Sequence, residues 1–392
     1  MAAQRQPVVR PSRFEGIEPT IFSQMSALAV RSGAVNLGQG FPDVDGPASV
    51  LEAAASALRQ GANQYAPGIG VPALRAAVAE HQRRHYGLEI DPDTQVCVTT
   101  GATEGVAAAL LGLLEPGDEV VVVEPYYDSY PAMLQVAGAV RRPVTLRAPD
   151  FRLDPDEVRA AVTPRTKAIL LNSPHNPSGT VLTREELEGV AAVAIERDLI
   201  VVTDEVYEHL TFDEHLHMPI ATLPGMFERT LTLSSLGKSY SLTGWKVGWA
   251  TGPVDLVAQV LDAKQWLTFT SGSPLQPAAA VALSEEPDWP ASLAADLRIR
   301  RDLLCSGLAE AGLPARTPEG TCFATTDIAH LGWRDGLEFC LALPERAGVV
   351  AVPLQGFYDS DAGRHLVRWA FCKTPEVIRD GLDRLRTADL ER

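Results

Sequence analysis

Short apolar runs recur along the middle of the chain, at 95–99, 119–124, 167–171, 199–203, 230–234 and 246–250. Most are continuous rather than alternating, as in Val120-Val121-Val122-Val123, which predicts strands buried on both faces. Between several of them, at 103–114, 129–137, 183–197 and 255–268, apolar residues recur every three or four positions, as on amphipathic helices. Strands alternating with helices predict an α/β domain with a largely parallel sheet covered on both sides. Such sheets bind ligands outside the carboxyl ends of their strands. Helical patterns at 47–60 and 70–86 precede this region, split by the Gly/Pro-rich segment 61–70. Residues 1–45 read as an arm of mixed polarity. After about 280 the texture changes to a long helix at 290–311, strands near 320–324, 348–352 and 365–371, and helices at 335–346 and 375–387. The expected division is an arm at 1–45 joining a small domain, a large domain at 46–285 and a small α+β domain at 286–392.

Composition narrows the class. With 392 residues, 46% of them hydrophobic and 21% charged, the chain can build a sizeable core without disulfides or metals. A formal net charge of -16 argues against a general grip on nucleic acid, although a locally positive pocket can still take a small anion. The apolar stretch Val106 to Leu114 stops at Glu115-Pro116-Gly117, short of a membrane span. Met1 to Arg13 lacks the apolar run of a leader. Five cysteines without a CxxC pair read as reduced thiols, so a cytoplasmic protein away from membranes is expected.

Candidate chemistry gathers where apolar runs end. Thr230 to Leu233 leads into Ser234-Ser235-Leu236-Gly237-Lys238, with Lys246 eight residues further on. A lysine that is partly desolvated or near another cation loses its proton readily and becomes an amine nucleophile toward an aldehyde. Ser235 and Lys246 are suited to holding a phosphate beside it. A nucleotide phosphate loop is excluded, because Thr232 stands where that motif needs glycine. Asp204 closes the run Val201-Val202-Thr203 and can keep a ring nitrogen protonated, with Tyr207 three residues on; its plain alternative is a helix cap. In Asn172-Ser173-Pro174-His175-Asn176-Pro177-Ser178-Gly179 two prolines bracket Asn176 and restrict its backbone. Ser173-Pro174 and Asn176-Pro177 are candidate cis bonds. Thr100-Gly101-Ala102-Thr103-Glu104, a strand end running into a helix start, is an anion seat, with Glu104 a capping candidate. Tyr126 or Tyr127 can stack on a flat heterocycle. In His365-Leu366-Val367-Arg368-Trp369-Ala370-Phe371 an arginine inside an apolar strand needs an anionic partner, such as a substrate carboxylate. His209, His215 and His217, near Glu208, Asp213 and Glu214, fit no compact ligand spacing, and no metal is expected.

Taken together, these segments closely resemble the fold type I aminotransferases of class I/II, in the branch of kynurenine, methionine and N-succinyldiaminopimelate aminotransferases. The resemblance spans nearly the whole chain. It rests on Asn36-Leu37-Gly38-Gln39-Gly40-Phe41-Pro42, Asn63-Gln64-Tyr65, the Asn172-to-Gly179 turn, Thr203-Asp204-Glu205-Val206-Tyr207 and the Lys238 segment. It implies a large domain with a mostly parallel seven-stranded sheet, a small α+β domain, a homodimer with shared active sites, and pyridoxal 5′-phosphate bound to Lys238 as a Schiff base. By residue, it implies that Asp204 pairs with the ring nitrogen, Tyr207 and Asn176 reach the ring oxygen, and Tyr127 stacks on the ring. Gly101, Ala102 or Thr103, Ser235 and Lys246 would bind the phosphate, with Tyr65 reaching the neighbouring subunit's. Arg368, Asn176 and the backbone of Gly38 would hold the substrate α-carboxylate. The implied activity is transfer of the α-amino group of an L-amino acid to a 2-oxo acid, 2-oxoglutarate or pyruvate, in two half-reactions. Kynurenine, methionine, glutamine and N-succinyl-LL-diaminopimelate are candidate donors, with Ile21, Phe22 and Tyr130 candidate specificity residues. The alternative on the same scaffold is an elimination lyase or an oxygen-dependent amino acid oxidase.

Overall fold

The computed structural model describes residues 11–392; most of the segment from which no leader was expected, and the start of the arm, fall outside them. The N-terminal part carries α1 (Ile21–Ser32), β1 (Val35–Asn36), α2 (Ala48–Arg59) and α3 (Pro72–Tyr86). The middle then alternates through β2 (Val96–Thr99), α4 (Gly101–Leu113), β3 (Glu119–Glu124), α5 (Ser129–Ala137), β4 (Val140–Thr145), α6 (Pro155–Ala161), β5 (Thr166–Asn172) and α7 (Arg184–Glu196). It continues with β6 (Ile200–Asp204), β7 (Thr230–Ser235), the single-turn α8 (Leu236–Ser239), β8 (Gly248–Thr251), α9 (Val254–Lys264) and α10 (Leu275–Glu285). The C-terminal part holds α11 (Trp289–Glu310), β9 (Ala315–Arg316), β10 (Phe323–Asp327), α12 (Gly336–Ala347), β11 (Val349–Val350), β12 (Val352–Pro353), β13 (Leu366–Ala370) and α13 (Pro375–Thr387).

Seven strands form the central sheet in the order β2-β8-β7-β6-β5-β3-β4. The five from β7 to β4 run parallel, and β8 is antiparallel to both of its neighbours. All six residues of β3 are buried, as a strand covered on both faces requires. The pattern of apolar runs does not reveal β4. It is an edge strand, Val-Arg-Arg-Pro-Val-Thr, with Val140 and Pro143 exposed; proline and charge are tolerated there because one side of the strand needs no partner.

A four-stranded antiparallel sheet, β12-β13-β10-β9, lies in the C-terminal part. The stretch read as an arm contains α1, which Thr20 caps by accepting from the Ser23 backbone N–H and Gly33 ends at φ 64°. After α1, β1 pairs with β11. Leu37 then bridges two elements, donating to Val350 O at 2.9 Å and accepting from Ala370 N at 2.6 Å. The chain leading to Gly38 is thereby fixed against β13, the strand that carries Arg368.

Candidate active site

Register brings the site together. Asn172 at the end of β5 pairs with Asp204 at the end of β6, and Asp204 in turn pairs with Leu233 of β7. Because β8 is antiparallel, its first residue, Gly248, lies opposite both Thr99 and Ser235. The loop preceding β8 therefore delivers Lys246 to the same sheet end as Gly101 and Ser235. A cavity of about 240 Å³ opens there, lined by Gly101, Ala102, Thr103, Tyr127, Asn176, Asp204, Tyr207, Ser235, Lys238 and Lys246. Ten residues singled out in the sequence thus share one wall-to-wall space.

One end of the cavity is built for an anion. Gly101 opens α4 at φ 69°, and a Cβ placed there would come within 3.1 Å of Lys246 Nζ, so glycine lets the lysine lie over the helix N-terminus. Lys246 Nζ also approaches Thr103 Oγ1 at 3.5 Å. Burial and neighbouring Lys238 hold the Lys246 ammonium below its ordinary range. An anion bound between them would relieve both effects. Glu104 is turned to structure: it accepts from the Thr100 backbone N–H at 2.6 Å and from the Thr268 hydroxyl.

At the opposite end lies Asp204, buried and with its carboxyl pushed upward by that burial. It accepts from Tyr130 Oη at 2.6 Å and from Val206 N at 3.3 Å. These donors are neutral, so the carboxylate has room for a cationic partner. Tyr130, weighed in the sequence only for specificity, is thus a support of Asp204. Asn172 is a second support, donating to Asp204 O at 2.8 Å and accepting from Asn176 N at 2.8 Å. Both Ser173-Pro174 and Asn176-Pro177 are cis. Between the two ends, Lys238 Nζ donates to Gly40 O at 3.2 Å and lies 5.6 Å from the centre of the Tyr207 ring. Thr243, which no sequence pattern distinguished, also lines the cavity.

Arg368, on β13, does not line the cavity itself but reaches its wall through Asn176. Its side chain is 1% exposed. It donates to Asn176 Oδ1 at 3.0 Å and Gly38 O at 2.9 Å, both neutral acceptors. Its Nε has no partner among the described residues. The rings of Phe323, at 3.8 Å, and Phe22, at 4.7 Å, flank the guanidinium. Burial lowers its pKa to about 10. A fully buried cation with only neutral acceptors is costly until an anion arrives. Tyr65 stands apart from these residues, 83% exposed against the edge of Phe269. Of the loop histidines, His217 is bound to Glu205 at 2.8 Å, while His215 lies at the surface.

Comparison with known proteins agrees with this architecture. The family described as aminotransferase class I and II matches residues 32–385. A protein of Mycobacterium tuberculosis named as a probable N-succinyldiaminopimelate aminotransferase is 51% identical over 95% of this chain and 97% of its own. The methionine aminotransferase of Escherichia coli is 39% identical, covering 97% of this chain and 98% of its own. The solved structure of the N-succinyldiaminopimelate aminotransferase from Mycobacterium tuberculosis superposes with a TM-score of 0.94, covering 96% of this chain and 99% of that one. The fold is that of the type I pyridoxal-phosphate-dependent aminotransferases, and the chain belongs to the aminotransferase class I and II family as an enzyme of amino-group transfer.

Proposed function

We propose that the cavity holds pyridoxal 5′-phosphate on Lys238 and that the enzyme moves the amino group of an L-amino acid to a 2-oxo acid. The observation that carries the reading is the pairing of two unmet charges at fixed places: a buried carboxyl at Asp204 and a glycine-lysine anion seat at Gly101 and Lys246, with the Lys238 amine between. A flat ring with a protonated nitrogen and a phosphate tail answers both. Asp204 would hold the nitrogen. Gly101, Ala102, Thr103, Ser235 and Lys246 would hold the phosphate, Tyr127 the ring face, and Asn176 and Tyr207 the ring oxygen. When bound, the cofactor supplies an aldehyde that condenses with amines and a ring that draws electrons from the substrate's α-carbon.

The protein's own residues do the rest. Arg368 grips the α-carboxylate, with Asn176 and Gly38 fixing the guanidinium plane. Lys238 Nζ, released by the incoming amine, takes the α-proton and hands it on within the same cavity. Water supplies the carbonyl oxygen of the departing 2-oxo acid, the amino group would stay behind in the cavity, and a second oxo acid takes it up by the same steps in reverse, returning the water. Similarity orders the donors to be assayed as N-succinyl-LL-diaminopimelate, then methionine, then kynurenine, with glutamine as a fourth candidate and 2-oxoglutarate or pyruvate as acceptor. A cytoplasmic location is favoured by five free cysteines. The deciding experiment assays wild type and Lys238→Ala for product amino acid, with ammonia release followed in parallel. Transfer by wild type and its abolition in the variant are expected; undiminished transfer by Lys238→Ala would reject the proposal.

A further inference from the structure

A second cluster of chemistry lies among residues that do not line the cavity. His81 and His85 are four residues apart on α3, so their side chains share one face. The segment that leaves β6 brings His209 against them from 128 positions away. The three ring centroids form a nearly equilateral triangle with sides of 4.6, 4.7 and 4.9 Å. One ring nitrogen from each lies within 4.8 Å of the others.

We propose that His81, His85 and His209 form a binding site for one zinc-class divalent cation. Three imidazoles bonded tetrahedrally to zinc at about 2.1 Å per nitrogen set their ring centres roughly 5 Å apart, close to the triangle observed. His81 Nε2 and His209 Nε2 are 2.7 Å apart, and a tetrahedral ion needs about 3.4 Å between nitrogens; a shift of a few tenths of an ångström in each ring admits it. The negative charge that would balance the ion is at hand. Glu208 Oε2 lies 4.0 Å from His81 Nε2, held in place by Tyr86 Oη at 2.5 Å and by the Ser234 hydroxyl. His85 is exposed, so the ion has an entry path and a fourth position open to water.

Such an ion would tie α3 to the segment that begins at Asp204, and would bind whether or not cofactor and substrate occupy the cavity. The histidines near His209 in sequence, which gave no ligand spacing, are not the ones that meet it in space. The test uses holoenzyme freed of metal by a chelator. Zinc binding is followed by calorimetry, and cobalt(II) by its visible absorbance. One equivalent per chain is expected, bound at micromolar concentration or tighter. His85→Ala, a surface change that leaves the fold intact, and His209→Gln should each weaken binding by about tenfold or more. His215→Ala, at a surface histidine outside the triangle, should leave it unchanged. Failure to saturate at roughly 100 μM zinc, far above structural and catalytic sites, or binding indifferent to His85→Ala, overturns the proposal.

Discussion

Arg368 illustrates how a single residue can announce its ligand. The sequence shows only an arginine in an apolar strand. The structure adds that its acceptors are neutral and that one nitrogen has no partner among the described residues. Lysine in its place would keep the charge but lose the two-pronged geometry. Arg368→Lys is therefore expected to raise the KM of both amino and oxo acid by roughly 10- to 100-fold, the range for hydrogen bonds to a charged group, which steady-state kinetics on both half-reactions will measure. Tyr130 and Asn172 were harder to foresee, since their roles depend on hydrogen bonds to Asp204 across the sheet end. No local pattern encodes a contact between residues 74 positions apart. His175 gives a pH prediction. It is buried, with Nε2 unpartnered among the described residues, and burial lowers its pKa to about 4. In the unfolded chain it titrates near 6.5. The unfolded state thus binds more protons between those values, so stability is full above about pH 6.5 and falls as pH drops toward 4. The loss is up to about 3 kcal/mol from this one group. His175→Gln should give a shallower fall in Tm across that window, measured by calorimetry; an unchanged slope would refute the assignment.

At the scale of elements, legibility follows burial. β3, β5 and β6 were readable because both faces are covered and their apolar runs are unbroken; β7, Thr-Leu-Thr-Leu-Ser-Ser, is equally covered but alternates leucine with threonine. β4 was hidden by its edge position and its two arginines. The hydrophobic pattern could not show that β8 runs antiparallel, because period and polarity carry no direction. Yet that direction is what brings Lys246 to Gly101. α1 was missed although Thr20 and Gly33 mark its ends; the capping pair was the available signal. Its Phe22 lies over Arg368, so the helix shapes the substrate side of the site. The start of α4 gives a sharper expectation. Gly101→Ala puts a side chain at φ 69° and against Lys246, costing about 1–2 kcal/mol in backbone strain and displacing the lysine. Cofactor titration by fluorescence should show affinity lowered by about tenfold or more, with the far-ultraviolet spectrum unchanged.

The whole molecule exposes large apolar side chains near the Tyr65 edge. Tyr65 and Trp266 are each 83% exposed, and Leu267 and Phe269 about half. Tyr65 and Phe269 touch. A contiguous apolar patch of this kind marks an interface, and a homodimer with Tyr65 reaching the partner's cavity is the assembly proposed for it. Sedimentation should find two chains together, and Trp266→Asp should shift the species to one chain with activity lost; a monomeric wild type with full activity would reject the assembly. The same scale carries a consequence of the enclosed guanidinium. Dissolved ions screen fields in water over roughly 8–10 Å, but a charge as buried as the Arg368 guanidinium, between Phe22 and Phe323, is screened far less. The surplus of 16 negative charges, by contrast, faces water and repels dicarboxylates before they dock. Added potassium chloride should therefore ease approach without loosening the grip, and kcat/KM for an acidic donor should hold or rise with ionic strength, where a surface arginine clamp would make it fall.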